Sequence, residues 1–160
     1  MKFRKDFVTN SSSSSYICEI CGRITDNYDS VMDSGFVECE KGHLVCQLHV
    51  ENDYDLDFVK QEIAKKIKSI GGFENYSEEQ FTFMKADNLE DLLLRSEEID
   101  YLDFKIPESI CPVCCYHDIS TYDLEKYKEI LLGKTNEELI KEVFNRFKDY
   151  KEFEKFLYKE

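Results

Sequence analysis

Eight side chains able to ligate a metal stand in one ordered series: Cys18, Cys21, Cys39, His43, Cys46, His49, Cys111 and Cys114. The spacing is C-x2-C, seventeen residues, C-x3-H-x2-C-x2-H, sixty-one residues, and C-x2-C. Each C-x2-C can close a tight turn that points two thiolates at one ion, and eight ligands fill two tetrahedral sites with none left over. Thiolate combined with imidazole suits zinc, whereas an all-thiolate iron site would not need the histidines. A filled site has no open position for water. The series therefore predicts two structural zinc ions and a binding module rather than zinc catalysis, with no catalytic residue assigned.

Composition narrows the setting. The chain has 160 residues, of which 42% are hydrophobic, enough for one domain or one domain with an appendage. No apolar run approaches the roughly 20 residues that span a bilayer, so no membrane partner is expected. Lys2, Arg4 and Lys5 are followed by Ser11 to Ser15, not by the apolar stretch of a signal peptide, and a cytoplasmic chain is expected. Seven cysteines would suit disulfides in a secreted protein, but without a signal, and with histidines interleaved at ligand spacing, metal is the better reading. A net charge of −13 repels phosphates and argues against nucleic acid as a partner. It fits a solvated surface or a basic protein partner.

Along the chain, Ser11 to Ser15 has linker character, and residues 1–15 read as a flexible segment. Tyr16 to Cys21 reads as a strand entering a metal knuckle, with Gly22 relaxing the turn. Residues 25–34 look like a loop. Phe36 to Cys39 is a second strand, Lys41-Gly42-His43 a turn, and Leu44-Val45 the return of a hairpin. Leu56, Val59, Ile63, Ile67 and Ile70 recur at helical spacing up to Gly71-Gly72. Ser77 to Gln80 matches a capping box, Asp87 to Glu90 resembles a helix start, and Ile99 to Ile106 reads as extended before Pro107. Ser120 to Asp123 caps a helix that stops at Gly133. Thr135 to Glu138 starts a final helix through Leu139, Ile140, Val143, Phe144 and Phe147, with Phe153, Phe156 and Leu157 continuing its apolar pattern. Cys115 and His117 read as a spare packed thiol and a surface imidazole. No P-loop, dinucleotide-binding glycine pattern or His-Glu-x2-His is present.

Spacing leaves the sorting of ligands open. An interleaved scheme gives Cys18, Cys21, Cys46 and His49 to one ion and Cys39, His43, Cys111 and Cys114 to the other. A sequential scheme gives Cys18, Cys21, Cys39 and His43, then Cys46, His49, Cys111 and Cys114. The segment His43-Leu44-Val45-Cys46-Gln47-Leu48-His49, the opening Cys18-Glu19-Ile20-Cys21 and the closing Cys111-Pro112-Val113-Cys114 resemble a RING finger. The resemblance covers about residues 16–52 and 106–118, and it implies the interleaved, cross-braced scheme.

It also implies a second function, ubiquitin or ubiquitin-like protein ligation, in which Ile20 would dock a conjugating enzyme. The chain lacks the Trp that often assists this docking, and Cys115 stands where a basic residue commonly follows the last ligand. A further resemblance lies in Asp6-Phe7-Val8-Thr9-Asn10 and the five serines after it. It is similar to the opening of many uncharacterised proteins of Firmicutes and their phages, and implies a bacterial or phage origin. In that setting the acidic chain could instead bind a basic nucleic-acid-processing protein. The expected architecture is α+β. A small RING-like, treble-clef double-zinc core spans 16–118, with a helical insertion at about 53–106 and a helical C-terminal extension over 119–160.

Overall fold

In a computed structural model, residues 14–28, 31, 34–97 and 104–158 are described. The N-terminal stretch Asp6 to Ser13 and most of the Ile99 to Ile106 segment lie outside these residues. Among the described residues the fold is mixed, with six α-helices and four short strands in two antiparallel hairpins.

The first hairpin pairs β1 (Ser14–Ile17) with β2 (Ile24–Tyr28), in the register Tyr16↔Thr25 and Ile17↔Ile24. The expectation of a loop over 25–34 is corrected here. The β-branched pair Ile24-Thr25 takes strand geometry because the turn at Cys18–Arg23 folds it back onto β1. The second hairpin pairs β3 (Phe36–Glu38) with β4 (Leu44–Cys46), and Phe36 and Val45 are wholly buried.

Two helices follow, where periodicity announces one. α1 (Gln47–Asp53) ends at extended Tyr54, and Asp55 then caps α2 (Leu56–Ser69) by accepting from the Phe58 N–H at 2.9 Å. The stripe Val59, Ile63 and Ile67 faces the core, as the spacing predicts, while Ile70 is exposed at the helix end. Ser77 to Gln80 makes a single 3₁₀ turn rather than an α-helix. Phe81 interrupts it in extended conformation, because its ring is buried and stacks on Phe83 at 5.1 Å. Asn88 caps α3 (Leu89–Glu97) by accepting from the Asp91 N–H at 2.8 Å.

The chain returns to the second hairpin through Ile106, which bridges to Cys39 in parallel. The Ile106 N–H donates to Glu38 O at 2.9 Å and the Glu40 N–H to Ile106 O at 3.0 Å. These bonds seat the stretch before Cys111 beside Cys39.

The C-terminal part holds α4 (Thr121–Ile130), α5 (Asn136–Arg146) and α6 (Tyr150–Tyr158). The single final helix expected from the apolar pattern is instead two. Phe147 is extended at φ −110°, and α6 starts anew where Asp149 accepts from the Glu152 N–H at 2.9 Å and Glu152 accepts from the Lys148 N–H at 2.8 Å. The break turns Phe147 inward. It packs with Tyr127, Phe153 and Phe156, with ring centroids 5.2 to 6.0 Å apart.

Candidate metal centre

Three tight turns bring together Cys18 with Cys21, Cys39 with His43, and Cys111 with Cys114. In the first, the Gly22 N–H donates to Cys18 O at 2.9 Å and the Cys18 N–H to Arg23 O at 2.9 Å. Gly22 sits at φ 72°, a conformation that a Cβ disfavours. In the second, the Gly42 N–H donates to Cys39 O at 2.7 Å with Gly42 at φ 85°. In the third, the Cys115 N–H donates to Cys111 O at 2.9 Å. There the left-handed residue is Tyr116, at φ 63°, although it carries a side chain. Its conformation is held from outside: its hydroxyl donates to Val143 O at 3.0 Å and its ring packs edge-on against Phe144 at 4.8 Å.

The eight donor atoms gather into two groups. Cys18, Cys21, Cys46 and His49 form one, and Cys39, His43, Cys111 and Cys114 the other; within each group all four atoms lie within 4.8 Å of one another. Membership is interleaved along the sequence. The β3–β4 hairpin sends Cys39 and His43 to one side and Cys46, with His49 from the first turns of α1, to the other.

Distances inside the groups suit a small tetrahedral ion, whose ligand–ligand edges are about 3.4 to 3.8 Å for zinc–sulfur and zinc–nitrogen bonds. Cys21 Sγ lies 3.7 Å from Cys46 Sγ. Cys39 Sγ lies 3.8 Å from Cys114 Sγ. His43 Nδ1 lies 3.5, 3.7 and 3.3 Å from the sulfurs of Cys39, Cys111 and Cys114. All seven cysteines are free, and these separations far exceed a disulfide bond of about 2.05 Å. Each group can hold one metal ion.

The two groups differ in enclosure. Cys39, His43 and Cys111 are buried and Cys114 half-buried, whereas Cys21 is exposed at the rim of the first group. Without metal, the thiols share few charges. Burial opposes ionisation of Cys21, but hydrogen bonds with His49, the Arg23 backbone, Cys18 and Cys46 bring it to about 7. Burial and the charges on Cys18 and Cys21 then push Cys46 up to about 12. Hydrogen bonds with Cys111 and Cys114 hold Cys39 far below the usual thiol range. Cys114's own hydrogen bond pulls Cys111 down, but Cys39 and burial prevail and push Cys111 up to about 12. Hydrogen bonds to Cys111 and Cys39 also push Cys114 up. Each group therefore combines a thiol lowered towards ionisation, Cys21 or Cys39, with thiols raised against it, whose protons a cation would displace.

Several neighbours of the ligands escape detection in the sequence. Glu19, between the first two cysteines, accepts from the Leu44 N–H through Oε1 at 3.1 Å. Its carbonyl accepts from the Thr121 N–H at 2.6 Å, and its own N–H donates to Leu44 O at 2.8 Å. Burial raises its carboxyl pKa, opposed by the Leu44 N–H. Asp123, read from sequence as part of a helix cap, is buried and accepts from Tyr150 Oη at 3.1 Å and Tyr158 Oη at 2.8 Å. Tyr150 Oη in turn lies 2.9 Å from His43 Nε2. No spacing or periodicity marks these residues, because their partners lie on distant elements.

Cys115 and His117 stand outside both groups. The Cys115 thiol donates to Glu108 O and Ser109 O at 3.3 and 3.2 Å. His117 is exposed, stacks on Tyr54 at 5.3 Å and places Nδ1 3.3 Å from Asp53 Oδ2. Ile20 is half-buried against the core. Among the described residues no helix is long and apolar enough to cross a membrane. No protein-family model, curated protein or solved structure matches the chain.

Proposed function

We propose that the chain is a structural two-zinc module of RING-like, cross-braced build, and that its zinc core presents a surface to a protein partner. The observation that carries this reading is the interleaved gathering of two Cys₃His groups at tetrahedral spacing. Cys18, Cys21, Cys46 and His49 would hold one ion, and Cys39, His43, Cys111 and Cys114 the other. Zinc is favoured among metals by the mixture of thiolate and imidazole. Four protein ligands per ion leave no position for water or substrate, so the ions would brace the fold rather than react. Thiols serve as ligands where they stay reduced, which supports a cytoplasmic setting. The net charge of −13 supports a basic protein rather than a nucleic acid as partner. The core would span 16–118, with the stretch at about 53–106 as an insertion and 119–160 as an extension packed on it.

Native mass spectrometry with metal analysis tests the reading. Two zinc ions per chain are expected; one or none would sink it. Complete chelation should abolish cooperative unfolding and the near-ultraviolet signal of the tyrosines. A native fold that survives loss of both ions would count equally against it. Ligase activity is the second reading. It rests on Ile20, whose half-buried side chain leaves part of its surface free. Autoubiquitination trials across a panel of conjugating enzymes decide it, and uniformly negative results remove it.

A further inference from the structure

The hydroxyl of Tyr150 stands between a ligand and a carboxylate. It donates its single proton to Asp123 Oδ2 at 3.1 Å. Its oxygen is then left to accept from His43 Nε2, 2.9 Å away. That contact requires the imidazole proton to sit on Nε2. Nδ1 then carries the lone pair, and it is the atom that faces Cys39, Cys111 and Cys114 at 3.3 to 3.7 Å. Tyr158 holds the far oxygen of Asp123 at 2.8 Å, which fixes the carboxylate's orientation. Asp123, Tyr150 and His43 are each at most 4% exposed, so water does not compete for these bonds. The Tyr150 ring also meets His43 edge-on at 5.2 Å and 80°, which restricts rotation of the imidazole.

We propose that Tyr150 and Asp123 are positioning residues for the second metal site, holding the His43 proton on Nε2 so that Nδ1 is presented to the ion. This deepens the two-zinc reading and rests on it. It makes α4 and α6, more than a hundred residues beyond His43 in part, the outer half of that site. Such outer partners fix ligand tautomer and orientation, and losing one typically lowers metal affinity about 10–100-fold.

The test uses the full chain loaded with zinc. Long-range ¹H–¹⁵N spectra of the imidazoles should show His43 bound through Nδ1, with a slowly exchanging proton on Nε2. Binding through Nε2, or a proton that exchanges as freely as an exposed imidazole's, overturns the proposal, and this measurement needs no variant. In Tyr150→Phe, a competing chelator should remove the ion at His43 at a concentration about 10–100-fold lower than in the wild type. The ion at His49 should respond as before, each site being read from its own imidazole signals. Tyr158→Phe leaves the His43–Tyr150–Asp123 chain complete and should shift the His43 site less. Equal affinity of the His43 site in wild type and Tyr150→Phe overturns the proposal. A wild-type chain that takes up no zinc instead overturns the two-zinc reading itself, which separates the two failures. If Tyr150→Phe does not fold, the wild-type imidazole spectrum decides.

Discussion

At the scale of single residues, the thiols and the turn glycines govern what the centre can do. Cys46 and Cys111 are pushed up to about 12 and so carry protons at neutral pH. An incoming ion must displace those protons. Metal affinity should therefore rise with pH and weaken on acidification from pH 8 to pH 6, about tenfold per pH unit for each proton displaced. Competition against a chelator of known affinity across that range checks the slope, and a flat profile would contradict protonated ligands. Gly22 offers a cleaner test of the first turn. A Cβ there would meet nothing within 4 Å, so Gly22→Ala has only its φ of 72° to oppose it. The expected cost is about 1–2 kcal/mol of unfolding free energy with two ions still bound. The eight side chains that gather into the two groups are legible at this scale, because C-x2-C and the run from Cys39 to His49 are local patterns. Tyr150 and Asp123 are not, because their roles arise only when α4 and α6 meet the second hairpin.

At the scale of elements, those set by local chemistry are legible in the sequence and those set by pairing are hidden in it. The α2 stripe, the Asn88 cap and the Thr135 start of α5 are all local, and all formed. β2 is hidden because a strand of five residues has little signal of its own and exists only by pairing with β1. The α5–α6 break is hidden because Phe147 and Phe153 continue one apolar pattern in either arrangement, while the cap at Asp149 lies inside an apparent helix. Asp149→Ala removes the acceptor for the Glu152 N–H and should cost roughly 0.5–2 kcal/mol, seen as a lower denaturant midpoint at unchanged slope. A change in helical content without that loss would argue that α5 and α6 can merge. Tyr116 shows a different dependence between elements. Its left-handed backbone in the third turn is held by α5, so damage to α5 should loosen the Cys111–Cys114 turn before it touches the first group.

At the scale of the whole molecule, the hairpin β3–β4 belongs to both groups. On the two-zinc reading, an ion on one side would stiffen the strands that carry the residues of the other group. Loading at substoichiometric zinc should therefore give mainly empty and two-zinc chains in native mass spectra. A dominant one-zinc species at half loading would show the groups to be independent. The interleaved grouping is the point at which sequence alone stops: both schemes satisfy the spacing, and only the folded hairpin separates His43 from Cys46. The helices of the C-terminal part reach the centre through Glu19, Tyr116 and Tyr150, three contacts on three different turns of the metal core.

The sixty-one residues between His49 and Cys111 also set a clock. A ribosome adding about 5–20 residues per second needs roughly 3–12 seconds to deliver Cys111 after His49. On the two-zinc reading, Cys18, Cys21, Cys46 and His49 would all have been synthesised throughout that wait, whereas Cys39 and His43 would stand as half a site. An ion captured early would be chelated on one side of the hairpin only. The other side would present a naked thiol and imidazole to the cell until the insertion had been made and folded. Premature oxidation or capture of a foreign metal at Cys39 would then be a hazard of birth rather than of the finished molecule.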